Sequence, residues 1–335
     1  MDGMMAQETQ RQEPQEQDVL LRIRDLQVQY QVRAGTTRGV DHVDLDVYKG
    51  ETLGLVGESA CGKSTMGRAI LRLVSEPGKI VGGQMWFNGV DLLAKSDVEM
   101  ARIRGKEISM IFQDPMTSLN PLQRIDQHYI ETLLTHERGL SKAQALRLAK
   151  GMFDNLGIQP ERLSDYPHQL SGGMRQRVMI GLALVLNSQL VIADEPTTSL
   201  DVIVEAQILD LLKELKQQYG MTMVLISHNL GIVAELADRV AVMYAGKLVE
   251  VAPSLALFDQ PLHPYTQGLL ASLPNIRVED EELHVMFGAP PDLIHPPTGC
   301  RFHPRCPRAL PRCAQEEPPY RQVEGGRWTA CWLYP

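Results

Sequence analysis

An apolar run, Leu53 to Val56, leads directly into Gly57-Glu58-Ser59-Ala60-Cys61-Gly62-Lys63-Ser64, and a helix-like segment from Thr65 to Val74 follows. No other stretch restricts the fold as strongly. The spacing matches G-x-x-x-x-G-K-[ST], in which the glycines let the backbone wrap and turn its N–H groups toward phosphate oxygens. The helix that follows presents its positive end to the same anion. Lys63 is placed to reach the β- and γ-phosphates of a nucleotide, and Ser64 to offer a hydroxyl to Mg²⁺. The strand before and the helix after separate this arrangement from a chance glycine-rich turn.

A second apolar run, Leu190 to Ala193, ends in Asp194-Glu195. Asp194 at the end of a buried strand can hold Mg²⁺, through water, and Glu195 can polarise an attacking water. Many strands end in acids, so this pair gains its meaning from the phosphate loop. Leu21, Ile23, Leu26, Val28 and Tyr30 mark strand-like segments, and Thr222 to Ile226 form another apolar strand ending at Ser227-His228. Ser141 is placed to cap a helix carrying Leu146, Ala149, Met152, Phe153 and Leu156 on one face, stopped by Gly157. Strands alternating with helices predict an α/β fold with a mainly parallel sheet.

The 335 residues carry 44% apolar side chains and a net charge of -8. A sizeable core is therefore expected, and a general affinity for nucleic acid or anionic lipid is not. No apolar run approaches the roughly 18 residues that cross a bilayer, and no signal peptide is recognisable. Residues 1–18, rich in Gln and Glu, read as a disordered tail. Residues 19–258 read as the nucleotide-binding domain. After residue 258 proline becomes frequent, helical periodicity fades and cysteines appear, so residues 259–335 are expected to form a small C-terminal domain.

The segment Leu170-Ser171-Gly172-Gly173-Met174-Arg175-Gln176 resembles the signature sequence of ABC-type ATPases. Gln113 lies where that family has its Q-loop glutamine, Ser199-Leu200-Asp201 resembles its D-loop, and His228 resembles its switch histidine. Tyr30 stands where an adenine-stacking aromatic is found, although an ordinary strand tyrosine reads the same way. The resemblance spans roughly residues 19–255. It implies a P-loop ATPase domain with a helical subdomain at about 114–180. It also implies head-to-tail dimers in which each ATP faces the other subunit's Ser171, Gly172, Gly173 and Asp201. Glu195, His228 and Gln113 would be catalytic, and Ser64, Gln113 and Asp194 would serve Mg²⁺. Met174 and Asn229 depart from the commonest pattern, where glutamine and aspartate stand. Cys61 inside the loop is read as filler.

Phe112-Gln113-Asp114-Pro115-Met116-Thr117-Ser118-Leu119-Asn120-Pro121 and Tyr166-Pro167-His168-Gln169 look like the subfamily that energises dipeptide and oligopeptide importers. The tail agrees, with His263-Pro264-Tyr265-Thr266 and Pro296-Pro297-Thr298-Gly299-Cys300. By resemblance the partners are two permease subunits, a second and non-identical ATPase subunit, and an extracytoplasmic solute-binding protein. The place implied is the cytoplasmic face of the inner or plasma membrane. Peptides are the expected solute, with nickel chelates or glutathione as alternatives. ABC-type ATPases that act on nucleic acid carry long coiled coils or zinc insertions within the ATPase domain. Here the insertion is short, the chain acidic and the cysteine region terminal. A non-hydrolytic subunit is argued against by Lys63, Asp194, Glu195 and His228 together.

Cys300, Cys306, Cys313 and Cys331 suit a metal before disulfides in a reducing compartment. Structural zinc sites usually carry a tight C-x2–4-C knuckle, and none is present. The looser spacing favours a [4Fe–4S] cluster, which relatives in the subfamily resembled also carry; Zn²⁺ and four buried thiols without metal are the alternatives. Arg301, His303, Arg305, Arg308 and Arg312 lie among the first three cysteines with no acid, and are expected to offset thiolate charge.

Overall fold

The computed structural model describes residues 19–198, 200–272 and 286–334. The expected N-terminal tail and Ser199 lie outside the described residues. Along the chain come β1 (Val19–Val32), β2 (Gly35–Tyr48), β3 (Thr52–Val56), α1 (Lys63–Ile70), β4 (Gly78–Phe87), β5 (Val90–Asp91), α2 (Asp97–Ile103) and β6 (Ile108–Ile111). A helical stretch follows, with α3 (Pro115–Ser118), α4 (Ile125–His136), α5 (Lys142–Asn155) and α6 (Gly172–Leu184). The chain then runs β7 (Leu190–Asp194), α7 (Val202–Tyr219), β8 (Thr222–Ile226), α8 (Leu230–Leu236), β9 (Arg239–Tyr244) and β10 (Lys247–Pro253). It closes with α9 (Ser254–Asp259), α10 (Pro264–Ala271), β11 (Arg321–Val323) and β12 (Arg327–Thr329).

Two sheets organise these elements. An antiparallel sheet has the order β2-β1-β4-β5, and a larger one the order β11-β12-β10-β9-β3-β8-β7-β6. The centre of the large sheet is parallel: β3 pairs with β8 and β9, and β7 with β6 and β8. Its strands are covered on both faces, which is why they read as unbroken apolar runs instead of alternating ones. Val191 and Ala193 of β7 join one apolar cluster, while Leu190 and Ile192 join the other. β8 divides likewise, with Met223 and Leu225 on one face and Val224 and Ile226 on the opposite one. This is the period-two alternation of a strand between two layers.

The expected strands at 53–56, 190–193 and 222–226 form where the apolar runs lie, and Ser141 caps α5 in a capping box with Gln144. The helix after the phosphate loop is shorter than its pattern suggested. It stops at Ile70, where Arg72 takes a left-handed φ of 52° and the carbonyls of Leu71 and Arg72 accept from the Arg104 guanidinium. The α-helices between β6 and β7 begin at Pro115, and the last of them, α6, runs on to Leu184, past the end of the expected subdomain near 180.

The C-terminal part is built differently from the separate small domain expected from the sequence. Residue 258 falls inside α9, and regular helix resumes in α10, capped by His263 through the Tyr265 N–H. The β11–β12 hairpin then extends the large sheet by pairing Glu250 with Thr329 and Val251 with Trp328. Tyr265 and Phe302 belong to the same apolar cluster as Val56, Val242 and Tyr244. Residues 286–334 therefore share the core of the nucleotide-binding part.

Candidate nucleotide site

β3, β7 and β8 end side by side. Leu55 is in register with Ile226, and Ile226 with Asp194. Loops that follow the carboxyl ends of parallel strands form the natural ligand crevice of such a sheet. Gly57 and Gly62 are required there by space as well as by φ values of 150° and 111°. A Cβ on Gly57 would lie 2.2 Å from the Met243 carbonyl oxygen, and one on Gly62 2.1 Å from that of Gly39. Gly62 also stands at the N-cap of α1 without a side-chain cap, so the first N–H groups of the helix are not spent on a capping side chain.

Lys63 is buried, and its ammonium donates to the carbonyls of Gly57 at 2.8 Å and Glu58 at 3.0 Å. Ser64 Oγ donates to Asp194 Oδ1 at 2.8 Å. Burial pushes the Asp194 carboxyl above its ordinary range, and the Ser64 hydrogen bond opposes that rise. Glu195 adopts a left-handed φ of 49°, a conformation that costs a non-glycine residue energy and recurs at functional sites. Its backbone N–H donates to the Ile226 carbonyl at 2.9 Å, which holds it in place. Its carboxylate is gripped on both oxygens. Gln113 Nε2 and Thr198 Oγ1 each donate to Oε2 at 2.9 Å, and His228 Nδ1 lies 3.1 Å from Oε1.

The fold thus brings Lys63, Ser64, Gln113, Asp194, Glu195 and His228 into one cluster from four separate segments. Ser59, Ala60 and Thr65 lie on the same loop and helix. Tyr30 Oη is 3.2 Å from Thr65 Oγ1, and its ring packs between Gly39 and Gly78. Cys61 is buried with its thiol pushed up by that burial, as befits a filler. Asn229 caps α8 through the Gly231 N–H at 3.0 Å, which an aspartate would do equally well. Thr198 was missed by the sequence reading. Its only signal is its position three residues after Glu195, within reach of a turn.

Ser171, Gly172, Gly173 and Asp201 are engaged away from this cluster. Ser171 Oγ caps α6 by accepting from Met174, and Asp201 Oδ1 caps α7 by accepting from Ile203 and Val204. Ser171 and Gly172 are exposed, and beside Asp201 the apolar Val202 and Ile203 are 83% and 72% exposed.

Cys300, Cys306, Cys313 and Cys331 line one small pocket with Phe302 and Trp332, enclosing about 10 Å³. Burial raises the thiols of Cys300, Cys306 and Cys331, and the backbone N–H groups two residues on from each oppose that rise. Burial foremost, with the neighbouring thiols, pushes Cys300 up to about 11. Among the described residues, no group of three or more His, Cys, Asp or Glu side chains is placed to hold a metal ion. The expected set of cations around the thiols also differs. Arg301 pairs with Asp41 and the Ala245 carbonyl, Arg305 with Glu58, and Arg312 with Glu316. Acids, two of them distant in the chain and Glu316 only four residues away, outcompete the thiols for these guanidinium groups, because carboxylates accept their planar donors in pairs or at close range. Burial raises the Cys306 and Cys331 thiols, and the charge of Arg308 opposes that rise.

Comparison with known proteins adds to this geometry. Residues 40–198 match the ABC transporter family model, and residues 249–313 match the oligopeptide/dipeptide transporter C-terminal region. A dipeptide transport ATP-binding protein of Bacillus subtilis is 45% identical over 317 residues, 94% of each chain. An oligopeptide transport ATP-binding protein of Salmonella typhimurium is 44% identical over 331 residues, 98% of each chain. Among solved structures, a dimeric ATP-binding cassette in a post-hydrolysis state with ADP and Pi superimposes with a TM-score of 0.64. It is 26% identical, and the match covers 70% of this chain and 98% of that one.

Proposed function

The chain belongs to the ABC transporter family, among its ATP-binding subunits for dipeptide and oligopeptide transport, and on that premise we propose how its site works and what surrounds it. It is an ATPase that energises peptide transport. The observation that carries the mechanism is the doubly held Glu195 carboxylate beside the Ser64–Asp194 pair. Lys63, now on its own loop carbonyls, exchanges them for the β- and γ-phosphates of ATP. Ser64, Asp194 and Gln113 are the residues that would hold Mg²⁺, which when bound offsets phosphate charge. Their donor set of hydroxyl, carboxylate and amide oxygen suits that hard cation. Glu195 accepts a proton from the attacking water, and Gln113, Thr198 and His228 keep its carboxylate aimed. Tyr30, whose hydroxyl lies 3.2 Å from Thr65 Oγ1 in α1, is assigned to the adenine.

Ser171, Gly172, Gly173 and Asp201 serve the ATP of a partner subunit, a reading supported by the exposure of Ser171, Gly172 and Asp201 and by the helix N-terminus that Ser171 begins. An apolar groove lined by Leu73, Met110, Phe112, Leu119, Met179 and Leu182 opens beside the Gln113 loop. It is assigned to a helix of a permease subunit, so that ATP-driven movement of Gln113 reaches the membrane. Among the described residues no helix is long and apolar enough to cross a membrane, so translocation is assigned to two permeases, with a second ATPase subunit and a solute-binding protein completing the system. Import is the direction assigned, and the cytoplasmic face of the membrane the location.

A [4Fe–4S] cluster is assigned to Cys300, Cys306, Cys313 and Cys331. Four soft thiols lining one pocket, with backbone N–H groups near three of them that favour the thiolate, support it. A single zinc is favoured less, because the four cysteines lack the tight C-x2–4-C knuckle usual in structural zinc sites. When bound, the cluster would tie the proline-rich segment together.

Two measurements test these assignments. The subunit is reconstituted with its permeases in vesicles, and ATP-dependent uptake of di- and oligopeptides is compared with that of a nickel chelate and glutathione. Peptide uptake abolished by Lys63→Ala is expected, whereas uptake of another solute only would remove the peptide assignment. Anaerobic purification should yield about four irons and four acid-labile sulfides per chain. One zinc without colour would replace the cluster by a structural clip.

A further inference from the structure

The second residue of the phosphate loop is held from the far end of the chain. Arg305 donates to Glu58 through two parallel hydrogen bonds, Nη1 to Oε2 at 2.8 Å and Nη2 to Oε1 at 2.9 Å, across 247 positions of sequence. The same guanidinium reaches Tyr244 Oη at 3.2 Å and the Phe287 carbonyl at 3.0 Å. Its side chain is 6% exposed and that of Glu58 24%, so water screens the pair only in part. The Glu58 backbone is held as well, its N–H donating to Tyr265 Oη at 2.8 Å. Tyr265 is buried against Tyr244 and Phe302, with ring centroids 4.6 and 5.4 Å away. Phe302 and Arg305 sit on one loop between Cys300 and Cys306.

A free carboxylate on this loop opposes the site's purpose, since it repels the polyanion that the loop must surround. An arginine fork is suited to cancelling that charge and fixing its direction at once, which a lysine would do only in part. We propose that Arg305 is a positioning residue for ATP binding: it neutralises Glu58 and pins it behind the loop, so that Lys63 and the loop N–H groups face the phosphates without an opposing charge. The inference rests on the reading of residues 57–64 as the ATP site. It requires no metal at the cysteines.

The test compares wild type, Arg305→Ala, Glu58→Gln and the double variant as purified full chains. Affinity for a fluorescent Mg·ATP analogue is measured together with steady-state KM and kcat. Arg305→Ala should weaken binding and raise KM about tenfold, with kcat within about twofold. Glu58→Gln supplies its own reference affinity, whatever it is, and adding Arg305→Ala to it should weaken binding by at most about threefold further, because the charge that needed cancelling has gone. Unchanged affinity in Arg305→Ala, or a further loss of about tenfold when Arg305→Ala is added to Glu58→Gln, overturns the proposal; the second result would assign the arginine to packing. If circular dichroism shows Arg305→Ala unfolded, Arg305→Lys takes its place. It retains charge and loses the fork, with about a threefold rise in KM expected and reversal by Glu58→Gln. No rise, or no reversal, sinks the idea equally. A wild-type chain that binds no nucleotide removes the ATPase reading and this inference with it. Tight wild-type binding with an unaffected Arg305→Ala removes the inference alone.

Discussion

The nucleotide-binding part and the cysteine segment at 286–334 reach order by different means. In the former, parallel strands lie between two apolar layers, and the candidate site side chains stand at or just beyond strand ends. In the latter, regular structure is limited to short turns and one hairpin, and long guanidinium groups tie the chain to acids elsewhere. Asp41 and Glu58, both in the N-terminal part, are the partners of Arg301 and Arg305. The difference teaches that a site assembled from short motifs at strand ends can be read motif by motif, whereas a brace is defined by what it touches.

If the two parts are as distinct in chemistry as in construction, Glu195→Gln should lower kcat by about 10²–10⁴-fold while leaving nucleotide binding and the iron and sulfide content intact. Phosphate release, analogue binding and metal analysis check this together. Altered metal content would break the distinction.

Phe302→Ala probes the opposite side of the comparison. Phe302 lies on the cysteine loop yet packs in the core that holds Val56 and Tyr244. The loss should be about 3–5 kcal/mol, seen as one cooperative unfolding transition shifted to lower denaturant. Two transitions would show that the parts fold separately.

Cys306→Ser should reduce bound iron and expose residues 286–334 to limited proteolysis. The rise in KM for ATP should be smaller than that of Arg305→Ala, since the guanidinium itself is retained. A larger rise would make the thiol pocket the principal support of the phosphate loop. If transport then responds to oxidant only when Cys306 is present, the segment senses redox state; an indifferent transporter leaves it a scaffold.

The smallest effect belongs to a local device. Ser96 and Glu99 cap α2 reciprocally, and hydrogen bonds from Ser96 hold the Glu99 carboxyl down at about 2. That value lies below the ordinary 4.5, so the stabilisation is present above pH 4.5 and is lost as pH falls toward 2. Glu99→Gln should flatten this acid dependence, measured as the difference in urea midpoint between pH 6 and pH 3. Metal content should not change, and a change would blur the boundary between local and long-range effects.

Much of the nucleotide-binding part was legible in the residues. The run from Leu53 to Ser64, the Asp194-Glu195 strand end and the Ser141-capped helix announce themselves because spacing along the chain carries the geometry. Less was legible where a residue's partner is remote. Thr198 joins Glu195 through a turn whose shape depends on the left-handed Glu195 backbone. The arginines near the cysteines read as counter-charges for thiolates, and only the folded chain shows that most of them face carboxylates.

By itself the sequence determined the phosphate loop, its strand and helix, the acids that accompany it and the family they belong to. These depend on local backbone geometry and on period-two or period-3.6 burial, which are written in consecutive residues. The tertiary structure alone decided that residues 321–329 extend the large sheet, that Phe302 completes the nucleotide-side core and that Arg305 meets Glu58. Those contacts arise from packing and charge pairing between segments far apart in the chain, and no local pattern encodes the distance that folding removes.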